Sequence, residues 1–123
     1  MKKLGIILVS HVPEVAQGLP KLLIQAGPDI SLTDAGGTND NDIGTSMEKI
    51  LAAIEENEAS ELLAFYDIGS SKMNLELAID MSDKNVHLYD TAFIEGAYTA
   101  AALIQADASL SEIEEQLAPL KIK

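Results

Sequence analysis

The six residues Leu4 to Val9 are apolar apart from Gly5 and show none of the polar alternation of a half-exposed strand. A strand of this kind must be covered on both faces, the situation of a parallel sheet flanked by helices. The remainder of the chain alternates segments that can supply the sheet and its cover. Pro13 suits the first turn of a helix, and Val15, Ala16, Leu19, Leu22, Leu23 and Ala26 recur at helical spacing as far as Gly27-Pro28. Pro20 falls inside that pattern, where a missing backbone bond costs roughly 3 kcal/mol, so a kink or a late helix start is expected. Asp29 to Asp34 reads as a second strand, followed by a polar, glycine-containing loop from Ala35 to Asp42. Thr45 with Glu48 reads as a capping box for a second helix, with Met47, Ile50, Leu51 and Ile54 as its buried stripe. Glu61 to Tyr66 is a third strand running into Asp67-Ile68-Gly69-Ser70-Ser71. A third helix carries Met73, Leu77 and Met81 at four-residue spacing, and Val86 to Tyr89 is a fourth strand. Ile94 to Gln105 is an alanine-rich helix, and Ser109 with Glu112 caps a last short one through Leu110, Ile113 and Leu117, stopped by Pro119.

Composition narrows the class. A chain of 123 residues fits one domain, 1–123, and 47% hydrophobic residues with only 4% aromatics require a core of Ile, Leu, Val, Ala and Met. Asp and Glu number 20 against 8 Lys and Arg, a net charge of −12, so phosphate backbones and anionic lipid surfaces are repelled. No nucleic acid or membrane partner is expected. The absence of cysteine excludes disulfides and thiolate metal sites and suits a cytoplasmic location. Lys2-Lys3 before an apolar run imitates a signal peptide, but the run is too short and ends in Ser10-His11 without a small-residue cleavage site.

Strands alternating with helices imply an α/β fold: an open, doubly wound parallel sheet of about four strands, order 2-1-3-4, with helices on both faces. In that order the switch point lies between strands 1 and 3, and ligands gather at the carboxyl ends of those strands. Ser10-His11 and Asp67 to Ser71 meet there, with the Gly36 to Ser46 loop on the far side of strand 1. A carboxylate bonded to one imidazole nitrogen fixes the tautomer and leaves the other lone pair as a nucleophile. If Asp67 holds Nδ1, Nε2 is the attacking atom, and the N–H groups after Gly69 with the Ser70 and Ser71 hydroxyls receive an anion bound to it. Such a site handles phosphoryl groups by positioning and charge stabilisation.

The same residues have ordinary readings. A histidine at a strand end is more often packed or exposed than catalytic, and His87, in strand 4, is taken as structural. Asp67 and Thr45 could each be a helix cap, worth about 1 kcal/mol, and Glu95 a first-turn carboxylate favoured by the helix dipole. A calcium loop starting at Thr38 would place Ile43 where glycine is needed and Lys49 where a bidentate Glu belongs. Gly36-Gly37 lacks both the dinucleotide fingerprint and the Walker lysine. No metal and no bound cofactor are expected.

Val9-Ser10-His11, Gly36-Gly37 with Ile43-Gly44-Thr45-Ser46, Asp67-Ile68-Gly69-Ser70 and Ile94-Glu95-Gly96 together resemble the DhaM-type phosphotransfer subunits of phosphotransferase-system (PTS) dihydroxyacetone kinases. Those subunits are relatives of the mannose-type IIA proteins. The resemblance runs over essentially the whole chain and implies a phosphohistidine carrier. By it, His11 accepts a phosphoryl group from the phosphocarrier protein HPr, itself charged from phosphoenolpyruvate by enzyme I. His11 then donates the group to ADP held on the nucleotide-binding kinase subunit, and the resulting ATP phosphorylates dihydroxyacetone. It further implies a homodimer, Asp67 orienting the imidazole, Thr45 with Gly69, Ser70 and Ser71 lining the phosphoryl site, and Gly36 and Gly37 keeping the neighbouring loop close. Ala92 stands where relatives often have proline. Some relatives carry fused HPr-like and enzyme I-like domains that this sequence lacks, so separate carriers are expected.

Three rivals remain at this point: a mannose-type IIA component that phosphorylates a IIB domain for sugar uptake, a receiver-type domain phosphorylated on Asp67, and a non-enzymatic module binding a small anion. A receiver would need an acidic pair after strand 1 and a lysine near a fifth strand, and the sequence offers Ser10-His11 and no clear fifth strand.

Overall fold

A computed structural model describes residues 4–123; Lys2 and Lys3 lie outside them. The elements follow as β1 Leu4–Ser10, α1 Pro13–Leu23, β2 Ser31–Gly36, α2 Met47–Glu56, β3 Glu61–Tyr66, α3 Lys72–Met81, β4 Asn85–Tyr89, α4 Phe93–Gln105 and α5 Leu110–Leu117. A 3-10 turn, Gly69–Ser71, leads into α3. All four strands are parallel in the order β2-β1-β3-β4, and Val9 pairs with Ala35 on one side and Tyr66 on the other.

Every residue of β1 is buried, as its unbroken apolar run requires. Ile6 and Leu8 face one layer, packing with Leu19 and Leu23 of α1, Ala97, Ala100 and Ala101 of α4, and Ile113 and Leu117 of α5. Ile7 and Val9 face the other, with Ile50, Ala53 and Ile54 of α2 and Leu75 and Ala78 of α3. The period of two along the strand thus divides the core into two halves, each fully buried aliphatic side chain contributing about 1.5–3 kcal/mol. The alanines of α4 bring that helix close to the sheet.

Several local expectations are corrected. β2 begins two residues later than expected and runs on to Gly36. α1 begins at Pro13, not after Pro20, and continues to Leu23 with Pro20 inside it. The cap of α2 is Ser46, whose Oγ accepts the Lys49 N–H at 3.1 Å. Thr45 is one residue too early, and its Oγ1 instead accepts a bond from Asn74 Nδ2 at 2.8 Å. On α3 the buried residues are Leu75 and Ala78, whereas Met73, Leu77 and Met81 are 72%, 49% and 60% exposed, so their four-residue spacing marks the outer face. The Ser109–Glu112 capping box of α5 is present.

One buried polar residue ties strands together. Asn57, just past α2, donates from Nδ2 to Ile6 O at 3.1 Å, Ser31 O at 3.3 Å and Thr33 Oγ1 at 3.1 Å, and its Oδ1 accepts from Ala59 N at 3.0 Å. Gly5 passes directly beneath it, where a Cβ would collide with the amide. Beyond α5 the chain returns to β4, forming an antiparallel bridge between Thr91 and Lys121.

Candidate functional site

β1 and β3 are neighbours, so the residues following each emerge side by side, and Asp67 reaches across to the end of β1. Its Oδ2 accepts the Ser10 hydroxyl at 2.8 Å and the His11 N–H at 2.9 Å. Its Oδ1 accepts from His11 Nδ1 at 2.9 Å and from Ile68 N–H at 2.7 Å. Burial pushes the Asp67 carboxyl up, but the hydrogen bonds from the His11 backbone and ring, the Ile68 N–H and the Ser10 hydroxyl outweigh it and hold the group below its ordinary value. An ionised carboxylate can only accept. Nδ1 is therefore the protonated nitrogen, and the lone pair of the neutral ring lies on Nε2.

Ser70 Oγ lies 2.5 Å from that Nε2 and donates to it. Gly69 and Ser70 are exposed at the start of the turn into α3. Ser71, expected beside them, is turned inward: its Oγ and its N–H both donate to Ile68 O, at 2.7 and 3.1 Å, and so shape the turn instead of reaching the ring. Asp67 makes a bond to Ile68 N–H as a local cap would, while its remaining bonds go to Ser10 and His11.

On the other side of β1 the 37–46 loop is fixed by main-chain bonds. Gly37 N–H donates to Ser10 O at 3.2 Å and Gly44 N–H to His11 O at 2.9 Å. A Cβ on Gly36 would meet Pro13 Cα at 2.8 Å, and Gly37, at φ +77°, would direct one into the Pro13 ring; both positions need glycine for the loop to lie this close to α1. Lys49 Nζ bridges Gly36 O at 3.0 Å and Asn41 Oδ1 at 2.6 Å. Thr45 faces Asn74 at the rim of a polar cleft that also includes Thr38, Asn39 and Asp40. It adjoins Gly44 in the chain, and its hydroxyl is not bonded to the imidazole.

A further set of residues buttresses the site from the β4 side and escaped the sequence reading. Lys123 Nζ donates to the carbonyls of Tyr66 and Asp67, each at 2.7 Å, and lies 4.3 Å from the centre of the Tyr66 ring. Burial lowers the Lys123 ammonium, with Asp67 and Asp90 opposing the shift. Tyr66 donates its hydroxyl to Asp90 Oδ1 at 2.5 Å, and Lys72 pairs with Asp90 at 3.0 Å. No spacing in the sequence links Lys123 to Asp67. Ser10 was more accessible to reasoning, since it separates a buried strand from a histidine. His87 pairs with Glu61 at 2.7 Å, away from this cluster, and Glu95 lies in the first turn of α4.

The arrangement is a part-buried imidazole with a fixed tautomer, its free nitrogen aimed at a serine and an exposed glycine turn. Among the described residues no group of three or more His, Asp or Glu side chains is placed to hold a metal ion, and no helix is long and apolar enough to cross a membrane. The chemistry available is nucleophilic attack by Nε2.

Comparison with known proteins places the chain among phosphotransfer components. The family model described as PTS system fructose IIA component, EIIA-man, matches residues 5–114. The phosphotransferase subunit DhaM of the PTS-dependent dihydroxyacetone kinase of Lactococcus lactis subsp. lactis is 49% identical over 97% of each chain. The phosphoryl donor subunit DhaM of PEP-dependent dihydroxyacetone kinase 1 from Listeria innocua is 42% identical, over 99% of this chain and 98% of that one. Among solved structures, a protein described as unknown function protein EF1359 superposes with a TM-score of 0.84 at 30% identity, over 98% of this chain and 97% of that one.

Proposed function

The chain belongs to the EIIA-man family and, within it, to the DhaM-type phosphotransfer subunits, and from that premise we propose that it is a phosphohistidine carrier acting through His11. The observation that carries this reading is the His11–Asp67 pair, which engages Nδ1 and leaves the lone pair on Nε2, beside Ser70 and the exposed turn. In the accepting step Nε2 forms a bond to phosphorus while the bond between phosphorus and the donor nitrogen breaks, its electron pair returning to the donor ring. The positive charge that develops on the His11 ring is shared with Nδ1–H, directly against the Asp67 carboxylate. Ser70 must release Nε2 for the attack, and its hydroxyl then donates to a phosphoryl oxygen, together with N–H groups of the Gly69-Ser70 turn. The donating step runs in reverse, with an acceptor oxygen displacing Nε2.

The donor in this reading is HPr, and the acceptor is ADP on the nucleotide-binding subunit of dihydroxyacetone kinase. The nucleotide is thus a ligand of the partner. Gly36 and Gly37 hold the 37–46 loop beside the ring, Thr45 borders the approach, and Ser71 fixes the turn. The chain is proposed to act as a homodimer, for which the outer face of α3 (Met73, Leu77, Met81) is the apolar surface at hand.

Incubation with phosphoenolpyruvate, enzyme I and HPr tests the assignment. The wild type and His87→Ala should incorporate a phosphoryl group that is lost in acid and stable in base, and His11→Ala should incorporate none. Label on His11→Ala equal to wild type would overturn the reading, and a base-labile label would move it to a carboxylate. Delivery to ADP on the partner subunit, in preference to a IIB domain, identifies the acceptor.

A further inference from the structure

Two large apolar side chains stand exposed on either side of His11. Ile43 is 80% exposed and Ile68 is 57% exposed. The loop after β2 and the turn after β3 flank the end of β1, so one isoleucine belongs to each wall around the imidazole. Neither exposure comes from a loose backbone. Ile43 lies between Asp42, whose carbonyl accepts Thr38 N–H at 3.0 Å, and Gly44, whose N–H is bonded to His11 O. Ile68 donates its N–H to Asp67 Oδ1, and its carbonyl receives both donors of Ser71. Each isoleucine is therefore held out into water on a segment hydrogen-bonded to the His11–Asp67 pair. A single exposed isoleucine is ordinary on a protein surface; what sets these two apart is that they stand on both sides of the same histidine. The setting on the Ile43 side is acidic: Asp40 and Asp42 are exposed in the same loop, and Glu48 is exposed on the first turn of α2.

We infer that Ile43 and Ile68 are the apolar centre of the docking surface for the protein that delivers the phosphoryl group to His11. The occupant has a phosphorylated side chain at the middle of its own contact face, apolar residues around it to cover the two isoleucines, and basic residues at the margin opposite Asp40, Asp42 and Glu48. A small phosphodonor would need none of this, since the ring's free nitrogen alone suffices for it. Two apolar flanks with an acidic margin are the anatomy of a protein contact, in which a few central side chains carry most of the affinity and the rim sets partner choice. The inference rests on His11 being the phosphoryl acceptor.

The test separates docking from chemistry by using two donors. Phosphoramidate phosphorylates an accessible histidine without a protein contact, whereas phosphorylated HPr must dock. In the Ile43→Ser/Ile68→Ser double variant, KM for phospho-HPr should rise about tenfold or more, the effect of losing about 1.4 kcal/mol of binding, with the phosphoramidate rate unchanged. Unchanged KM for phospho-HPr would overturn the inference. An equal loss with both donors would also overturn it, because the isoleucines would then be maintaining the site and not contacting the partner. Failure of phosphoramidate to label wild-type His11 would sink the underlying carrier reading instead, and that outcome is distinguishable from the other two.

Discussion

At the scale of single residues, the properties of His11 are set by Asp67, 56 positions away in the chain. Replacing Asp67 with Asn keeps the shape but loses the negative charge, and an amide can present its NH2 group to Nδ1 and select the other tautomer. Phosphorylation by phospho-HPr should slow on the order of a hundredfold or more. The variant also reports on stability. The folded carboxyl of Asp67 sits below its ordinary value, so its ionised form stabilises the protein at pH values above the unfolded carboxyl range. That contribution disappears as pH falls through the lower, folded value. Thermal melts of wild type and Asp67→Asn should differ by about 2 kcal/mol near neutrality, and the difference should begin to shrink only below the ordinary carboxyl value and vanish below the lower, folded one. Of these contacts, the meeting of His11 with Asp67 was legible, because topology alone brings the ends of β1 and β3 together. The inward turn of Ser71 was not, since two adjacent serines in a polar turn look alike until the backbone decides which hydroxyl faces Ile68 O.

At the scale of elements, the strand order and the helical segments could be read because hydrophobic period and proline placement speak directly about backbone. Sidedness was harder. On α3, Met73, Leu77 and Met81 form a more strongly apolar row than Leu75 and Ala78, yet the latter pair is buried. Alanine lets the helix approach the sheet closely, and periodicity gives no sign of which apolar row meets the protein's own core and which meets another surface. The cap of α2 moved from Thr45 to Ser46 for a similar reason, since both side chains can accept a bond and the first helical residue decides between them. Asn57, with its bonds to three strand-region groups, looks from sequence like an ordinary helix terminator. If the outer row of α3 serves a homodimer, the Met73→Glu/Leu77→Glu variant should sediment as a monomer while its circular dichroism stays that of the wild type. Dimerisation unchanged in that variant would assign the contact to another face.

At the scale of the whole molecule, the net charge of −12 reflects how few lysines there are, and among the described residues several of those are engaged within the fold. Lys49, Lys84 and Lys123 direct their ammonium groups onto main-chain carbonyls, and Lys72 is paired with Asp90. An anionic surface of this kind steers a basic-faced partner toward the site, so the rate constant for transfer from phospho-HPr should fall severalfold between about 0.05 and 0.5 M salt. Salt-independent transfer would remove steering from the account. The position of β1 has a different consequence, one of timing. β1 precedes its neighbours in the chain yet lies inside the sheet, and its β3 edge stays unpaired until the chain has passed through α1, β2 and α2. Parallel pairings of such long reach form slowly, because the loop must close before any contact rewards it. The phosphoryl site straddles that same pairing, so it comes into being only when the central sheet does, and a partly folded chain has a histidine but no carrier.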